Sequence, residues 1–422
     1  MYLFPKKEEK EAIPVKAEKT ISLRRVLTAV GIVLAMILLL ASLIFIKTQR
    51  EKRLQGQDLP LPDLRASKSE RLKGVNEADA KKLSELFTDE DGSLFPRLSA
   101  KKKTEDDPLS PWVLRPETYR EASADERLLQ GEVLLSLRDR GAFNQWLARE
   151  EAFDGEAAMP KWRVELGRCR LLLIAQKLFP GRAYEKAIQD AEKELLPVFQ
   201  EEPEGLAFSV LEQSYPEVDA ARKNEPAKGE RVEGIPLYWV DLWTLQQFSE
   251  RDPDSWQEIF EKWEKRCAQA LLDSGFYAYA YEPEEGYYLP SAGETFMVDA
   301  LASLRQARLL AEIGKTPDIS TFTEILIRDG GLRAFYNMAS LESVAESRLS
   351  PAVLGEALRL YRLLGDDLMA DTCKDALEGI RTHEGPEALQ ELFLWKDEES
   401  DVLFADFPDQ MLPLLGENCR QN

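Results

Sequence analysis

From Thr118 onward, apolar residues recur at the spacing of amphipathic helices, one segment after another. In YREASADERLLQGEVLLSLRDR the apolar positions are Leu128, Leu129, Val133, Leu134 and Leu137, one face of a helix. The same period runs through FNQWLARE, KWRVELGRCRLLLIAQKLF, AYEKAIQDAEKELLPVF, PLYWVDLWTLQQFSE and DSWQEIFEKWEKRCAQALLDSG. It continues in ETFMVDALASLRQARLLAEIG, ISTFTEILIRDGG, LSPAVLGEALRLYRLLG and DDLMADTCKDALEG. Many of these segments stop at Gly or Pro, which is ordinary helix punctuation. The pattern predicts roughly a dozen helices ending near Pro413. Alternation with period two is scarce. Phe276-Tyr-Ala-Tyr-Ala-Tyr281 is one instance, readable as a short strand or an extended loop. No fixed repeat of a helical solenoid is visible, so a dozen helices with long loops suit a closed double ring.

Before Thr118 the pattern changes twice. Val26–Ile46 is predominantly apolar, without charge or proline. As a helix it would be about 31 Å long, enough to cross the hydrocarbon core. Lys47, Arg50, Lys52 and Arg53 follow it directly, where a cleaved signal peptide would show a cleavage site. The expectation is a single uncleaved transmembrane helix at the cell membrane. The tail, residues 1–25, lies in the cytoplasm and the large domain outside. Residues 47–75 are polar, with Pro60 and Pro62, and predict a linker. A short amphipathic stretch, Asn76 to Phe87, opens the domain at residues 76–422. Asp89-Glu-Asp-Gly-Ser suggests a calcium loop, but Ala100 stands at the twelfth position where an acid is needed, so a capped turn is expected. Residues 97–116 are expected to be irregular.

Composition narrows the chemistry. The net charge of −21 leaves no basic excess to displace counterions, which argues against a nucleic-acid partner. Cys169, Cys267, Cys373 and Cys419 are far apart, so neither a zinc site nor a disulfide framework is expected. The only histidine is His383, in a polar turn, which argues against nucleophile–histidine catalysis. No metal or cofactor is expected.

Ser123-Ala-Asp-Glu-Arg-Leu-Leu-Gln-Gly-Glu-Val-Leu-Leu-Ser-Leu, followed by Gly141-Ala-Phe, resembles the N-terminal signature of glycoside hydrolase family 8. The later segments follow in the family's order: Gly234-Ile-Pro-Leu-Tyr-Trp-Val-Asp-Leu-Trp, Gly293-Glu-Thr-Phe-Met-Val-Asp-Ala, Gly331-Leu-Arg-Ala-Phe-Tyr with Val344-Ala-Glu-Ser, and the helix Leu358 to Leu364. The resemblance spans about residues 76–416. It implies an all-α (α/α)6 barrel and inversion at a β-linked glycosidic bond by two carboxyls about 6.5–9.5 Å apart. It places Glu126 as general acid and Asp299 as general base. Tyr238, Trp239, Trp243, Tyr277, Tyr279 and Tyr281 are the candidates for stacking on sugar. Membrane-anchored relatives accompany exopolysaccharide synthesis, so the implied partners are a polysaccharide, the membrane and exopolysaccharide synthesis proteins. There are departures from the family pattern. Arg127 follows Glu126, Lys161-Trp-Arg-Val-Glu165 replaces an acid-rich stretch, and Ala302 stands where an arginine is expected. Two readings remain: an active glycosidase, or a catalytically degenerate glycan-binding or scaffolding subunit.

Overall fold

The computed structural model describes residues 77–103, 112–118, 120–152, 159–179, 181–201, 206, 209–213, 230–284, 286–292, 296–344, 348–383, 389–396 and 402–418. The tail, the apolar span and the linker lie outside the described residues, as do Cys419 and residues 293–295 and 345–347 of the family-like segments. Among the described residues no helix is long and apolar enough to cross a membrane.

Those residues contain twelve α-helices. They are α1 (Glu77–Leu86), α2 (Ala124–Ser136), α3 (Arg140–Ala152), α4 (Lys161–Leu178), α5 (Glu185–Gln200), α6 (Leu242–Arg251), α7 (Pro253–Gln269), α8 (Ala300–Glu312), α9 (Ser320–Asp329), α10 (Pro351–Leu364), α11 (Asp367–Ile380) and α12 (Phe407–Asn418). Burial sorts them into two sets. In α10 every residue from Pro351 to Tyr361 is buried, whereas α5 buries only Ile188, Ala191, Leu195 and Phe199. A helix buried nearly all round belongs to an inner layer, and one with a single apolar stripe to an outer layer.

The even-numbered helices form the inner layer. Each packs on the next, α2 through α12, and α12 packs back on α2, which closes the ring. The outer helices α3, α5, α7 and α11 each pack on the inner helix before them in the chain. This is a double ring of helices. At the join between α10 and α12 the backbones nearly touch. A Cβ built on Gly355 would lie 2.3 Å from the Pro413 nitrogen, and one on Gly416 would lie 2.6 Å from the Gly355 oxygen. Pro413, expected near the end of the last helix, lies inside α12, which continues to Asn418.

Strands are commoner than the sequence pattern predicts. Residues 97–116, expected to be irregular, supply β1 (Arg97–Lys102) and β2 (Trp112–Pro116). These join β9 (Trp395–Lys396) and β10 (Leu403–Asp406) in an antiparallel sheet ordered β2-β1-β10-β9. The pairing Arg97↔Asp406 is too distant in sequence for local pattern to reveal. A second sheet, β3 (Ser209–Gln213), β4 (Glu230–Pro236), β5 (Ala280–Tyr281) and β6 (Tyr288–Leu289), absorbs the tyrosine-rich stretch at its end. β7 (Met297–Asp299) and β8 (Phe335–Asn337) form a third pair, leading straight into α8.

Candidate functional site

Links from an inner helix to the outer helix after it are short, as at Gly365–Asp366, whereas most links from an outer helix to the next inner one are long and carry the strands. The loops therefore gather where the inner helices begin. A cavity of about 80 Å³ opens there and runs down between α2, α4, α8, α10 and α12. Its lining includes Asp125, Glu132, Arg163, Arg170, Tyr238, Asp241, Arg305, Arg308, Glu356 and Arg359. Ligand pockets usually occupy about 300–1,000 Å³. This cavity admits waters or a small polar substituent, and anything larger would have to lie across its mouth.

At the start of α2 two adjacent acids have different fates. Glu126 is buried. Its Oε2 accepts from the Ser123 N–H at 2.8 Å and the Ser123 hydroxyl at 3.0 Å, and Arg120 grips both oxygens at 2.7 and 2.9 Å. Ser123 Oγ in turn accepts the Glu126 N–H, completing a capping box. Asp125, the preceding residue, lines the cavity. It sits 2.9 Å from the guanidinium of Arg163 and 3.6 Å from that of Arg305. Arg127 turns away to Glu150 and to the carbonyl of Ala122. The partner of Glu126 is thus Arg120, six residues back.

Asp299 is the N-cap of α8, where its Oδ1 accepts the Ala302 N–H at 3.0 Å. Burial pushes its carboxyl above the usual aspartate value, against the N–H of Ala302 and the charge of Arg305, which favour the ionised form. Arg305 therefore acts on both Asp125 and Asp299. Tyr238 and Tyr279 meet edge to face at 5.6 Å, and the Arg305 guanidinium lies 5.9 Å over the Tyr238 ring. Burial raises both hydroxyls, and the negative charge of Asp125 adds to the rise at each; Asp299 adds to it at Tyr279.

The other four aromatic candidates sit elsewhere. Trp243 is fully buried, with Arg170 and Lys177 over its ring at 5.6 and 4.8 Å. Trp239 is buried against Trp162. Tyr277 is buried, and its hydroxyl accepts the Asp318 N–H at 3.1 Å. These three rings offer no open face to a sugar. Tyr281 leans on Tyr288 at 5.5 Å and lies under Arg266 at 4.5 Å.

Below the mouth runs a chain of buried charges. Arg170 donates to Asp241 at 2.8 Å and to both oxygens of Glu312 at 2.8 and 2.9 Å. Arg308 joins Glu312 to Glu356, and Arg359 holds Glu132. Burial opposes the charge of Glu132, but Arg359, backed by Arg170 and Arg308, holds its carboxyl down to about 2. The Glu312 carboxyl is likewise lowered despite its burial, chiefly by Arg170 and Arg308. Glu132 and Glu312 stay ionised at neutral pH, because paired buried charges are tolerable where single ones are not. Three buried atoms of cavity-lining residues, Arg163 Nε, Glu356 Oε2 and an Arg359 terminal nitrogen, have no partner among the described residues. Donors and an acceptor together suit water or a hydroxyl group.

No family model and no curated protein matches the chain. Solved structures do. The chain is similar to a novel alpha-amylase from Clostridium perfringens, with a TM-score of 0.61 and 15% identity over 83% of this chain and 100% of that one. It is similar to PssZ from Listeria monocytogenes, with a TM-score of 0.51 and 13% identity over 84% of this chain and 98% of that one. The chain shares the fold of these two proteins. The endoglucanase Cel10, a family 8 glycosyl hydrolase from Klebsiella pneumoniae, is also similar, with a TM-score of 0.47 and 13% identity over 80% of this chain and 97% of that one.

Sequence reasoning passed over Asp125, Arg163 and Arg305, and the interior charges as well. Two signals were available. Ser-x-x-Glu before an apolar run marks a capping box, which would have assigned Glu126 to the helix end. Charges embedded in apolar helical runs, as in GRCRLLLIA and LGEALRLYRLL, mark an interior that is not wholly apolar.

Proposed function

We propose that this chain is a membrane-anchored polysaccharide-binding protein on a glycosidase frame, serving an exopolysaccharide synthesis or export system. The glycan lies across the mouth formed by Asp125, Arg163, Tyr238, Tyr279, Asp299 and Arg305. The carrying observation is the engagement of the acids. Inverting hydrolysis needs a carboxyl that brings a proton to the leaving oxygen. Glu126 gives its oxygens to Arg120 and Ser123, and Asp125 is held between two guanidiniums. Alternating guanidinium and carboxylate groups can donate to and accept from sugar hydroxyls without transferring a proton. The family resemblance favours a β-linked chain. The name of the C. perfringens relative, an alpha-amylase, keeps α-linked glucans among the ligands to try.

One observation favours a second reading, hydrolysis by inversion. Asp125 does face the cavity, and burial makes Asp299 a stronger base than an exposed aspartate. In that reading Asp125 takes the acid role and Asp299 activates water.

The test uses the full chain in detergent with cello- and malto-oligosaccharides. Calorimetry measures binding, and release of reducing ends measures cleavage. Binding without release supports the first reading. Release that is lost in Asp125→Asn and Asp299→Asn but kept in Glu126→Gln supports the second. No binding and no release from any glycan would overturn both.

A further inference from the structure

We infer that Phe335 is a sugar-stacking platform, holding one pyranose of the bound glycan against its ring while the hydroxyl edge of that sugar meets Asp299. The inference rests on the glycan-binding reading above and names a subsite within it.

The β7–β8 register pairs Asp299 directly with Phe335 and Val298 with Tyr336. Directly opposed residues of an antiparallel pair share a face, with Cβ atoms about 4.5–5.5 Å apart. One face of the hairpin carries Val298 and Tyr336, both fully buried. The other carries Asp299 and Phe335, and Phe335 is 44% exposed. Phe296, at the margin of the same hairpin, is 36% exposed, and its carbonyl accepts the Met338 N–H at 2.8 Å. The open phenyl ring of Phe335 thus shares one face of the hairpin with a carboxylate.

The patch has a rigid backing. Tyr336 stacks on Phe276 at 5.8 Å, its hydroxyl accepts the Arg333 N–H at 2.7 Å, and the Ala300 N–H donates to the Ala334 carbonyl at 2.9 Å. The exposed ring is therefore held in place beside the start of α8. A pyranose presents apolar C–H groups on its faces and hydroxyls around its edge. A flat hydrocarbon ring and a carboxylate acceptor on directly opposed residues, with Cβ atoms about 5 Å apart, offer a surface for each. A sugar resting there would continue the chain lying across the mouth, because Asp299 and Tyr279 are close enough for the charge of one to act on the hydroxyl of the other.

The experiment measures the affinity of the full chain for cellohexaose and maltohexaose in Phe335→Ala, Phe335→Trp, Tyr238→Ala and, as a control, Ile327→Ala, an exposed residue on α9. Covering roughly half of a phenyl ring corresponds to about a tenfold gain in affinity. Phe335→Ala is expected to bind about tenfold more weakly with an unchanged melting temperature. Phe335→Trp should restore or exceed the original affinity, and Ile327→Ala should match the unaltered chain. Unchanged binding in Phe335→Ala, with binding lost in Tyr238→Ala, would overturn the platform and leave the glycan reading intact. If the unaltered chain binds neither hexasaccharide, both fall. If Phe335→Ala releases a co-purifying protein and leaves glycan affinity unchanged, the patch is a protein-docking surface and the inference is wrong.

Discussion

The assignment of Glu126 to helix architecture can be tested by replacing it with glutamine. In the native chain its two oxygens receive two hydrogen bonds from Arg120 and two from Ser123, in a site that is 6% exposed. Glutamine keeps one acceptor oxygen and turns an amide donor toward donors. Loss of a capping interaction costs about 0.5–2 kcal/mol. Loss of a charge-assisted buried hydrogen bond costs about 1.5–3 kcal/mol. Arg120 is 39% exposed, so water screens its share and the estimate belongs near the lower end of the sum. The expected destabilisation is about 2–3 kcal/mol, or roughly 3–4 °C in melting temperature for a domain of about 350 residues. Arg120→Ala, which leaves the Ser123 bonds in place, should cost less, about 1 kcal/mol. Thermal melts of the purified chain read the stability, and calorimetric titration with oligosaccharide reads the site. Glu126→Gln should lower the melting temperature and leave glycan affinity unchanged below it. A neutral melting temperature combined with loss of ligand or turnover would refute the structural role and return Glu126 to the chemistry.

Three further outcomes are expected. Gly355→Ala and Gly379→Ala should move stability in opposite directions in urea titrations. A Cβ at 355 meets backbone atoms of α12 at 2.3 and 2.5 Å, and the overpacking should cost about 1–3 kcal/mol. Gly379 has open space, so alanine there should gain about 0.5–1 kcal/mol from helix propensity. Equal effects would show that α10 and α12 do not approach as described. Burial raises the Asp409 carboxyl from 3.8 to about 6, against Arg348. An acid raised in the folded state contributes stability that is complete below pH 3.8 and is lost as the pH rises through 6, here about 3 kcal/mol. Asp409→Asn should flatten that part of the stability–pH curve and melt higher than the unaltered chain above pH 6.5. Identical curves would place Asp409 in water. The thiols of Cys169, Cys267 and Cys373 are buried and pushed up by that burial, Cys267 to about 12. They should react with a disulfide reagent at pH 8 only after unfolding, and rapid reaction of any of the three in the native chain would contradict the packing.

The helical part of the fold was legible because helix periodicity is local: four or five apolar positions within eighteen residues are enough to mark Lys161–Leu178 or Pro253–Gln269. The strands were not, because β1 pairs with β10 some three hundred residues later and carries no pattern of its own. The helix expected through ETFMVDALASLRQARLLAEIG begins only at Ala300. Met297–Asp299 pairs instead with Phe335–Asn337, and that pairing turns Asp299 into an N-cap.

The sequence by itself determined that the domain is helical, that its net charge is strongly negative, and that it offers many carboxyls and a single histidine. Those properties are sums or short-range patterns, and folding does not change them. Only the tertiary structure decided which acid meets the cavity. Asp125 and Glu126 are one residue apart, and adjacent helix positions point about 100° apart. The capping box turns Glu126 back onto Ser123, and the turn of the helix leaves Asp125 facing Arg163 and Arg305. Tertiary structure likewise joined Arg170 to Glu312, 142 positions away, and enclosed Trp243 in the core. Closing a ring of six inner helices brings together residues that no local pattern relates, and it also selects which of them water and ligand can reach.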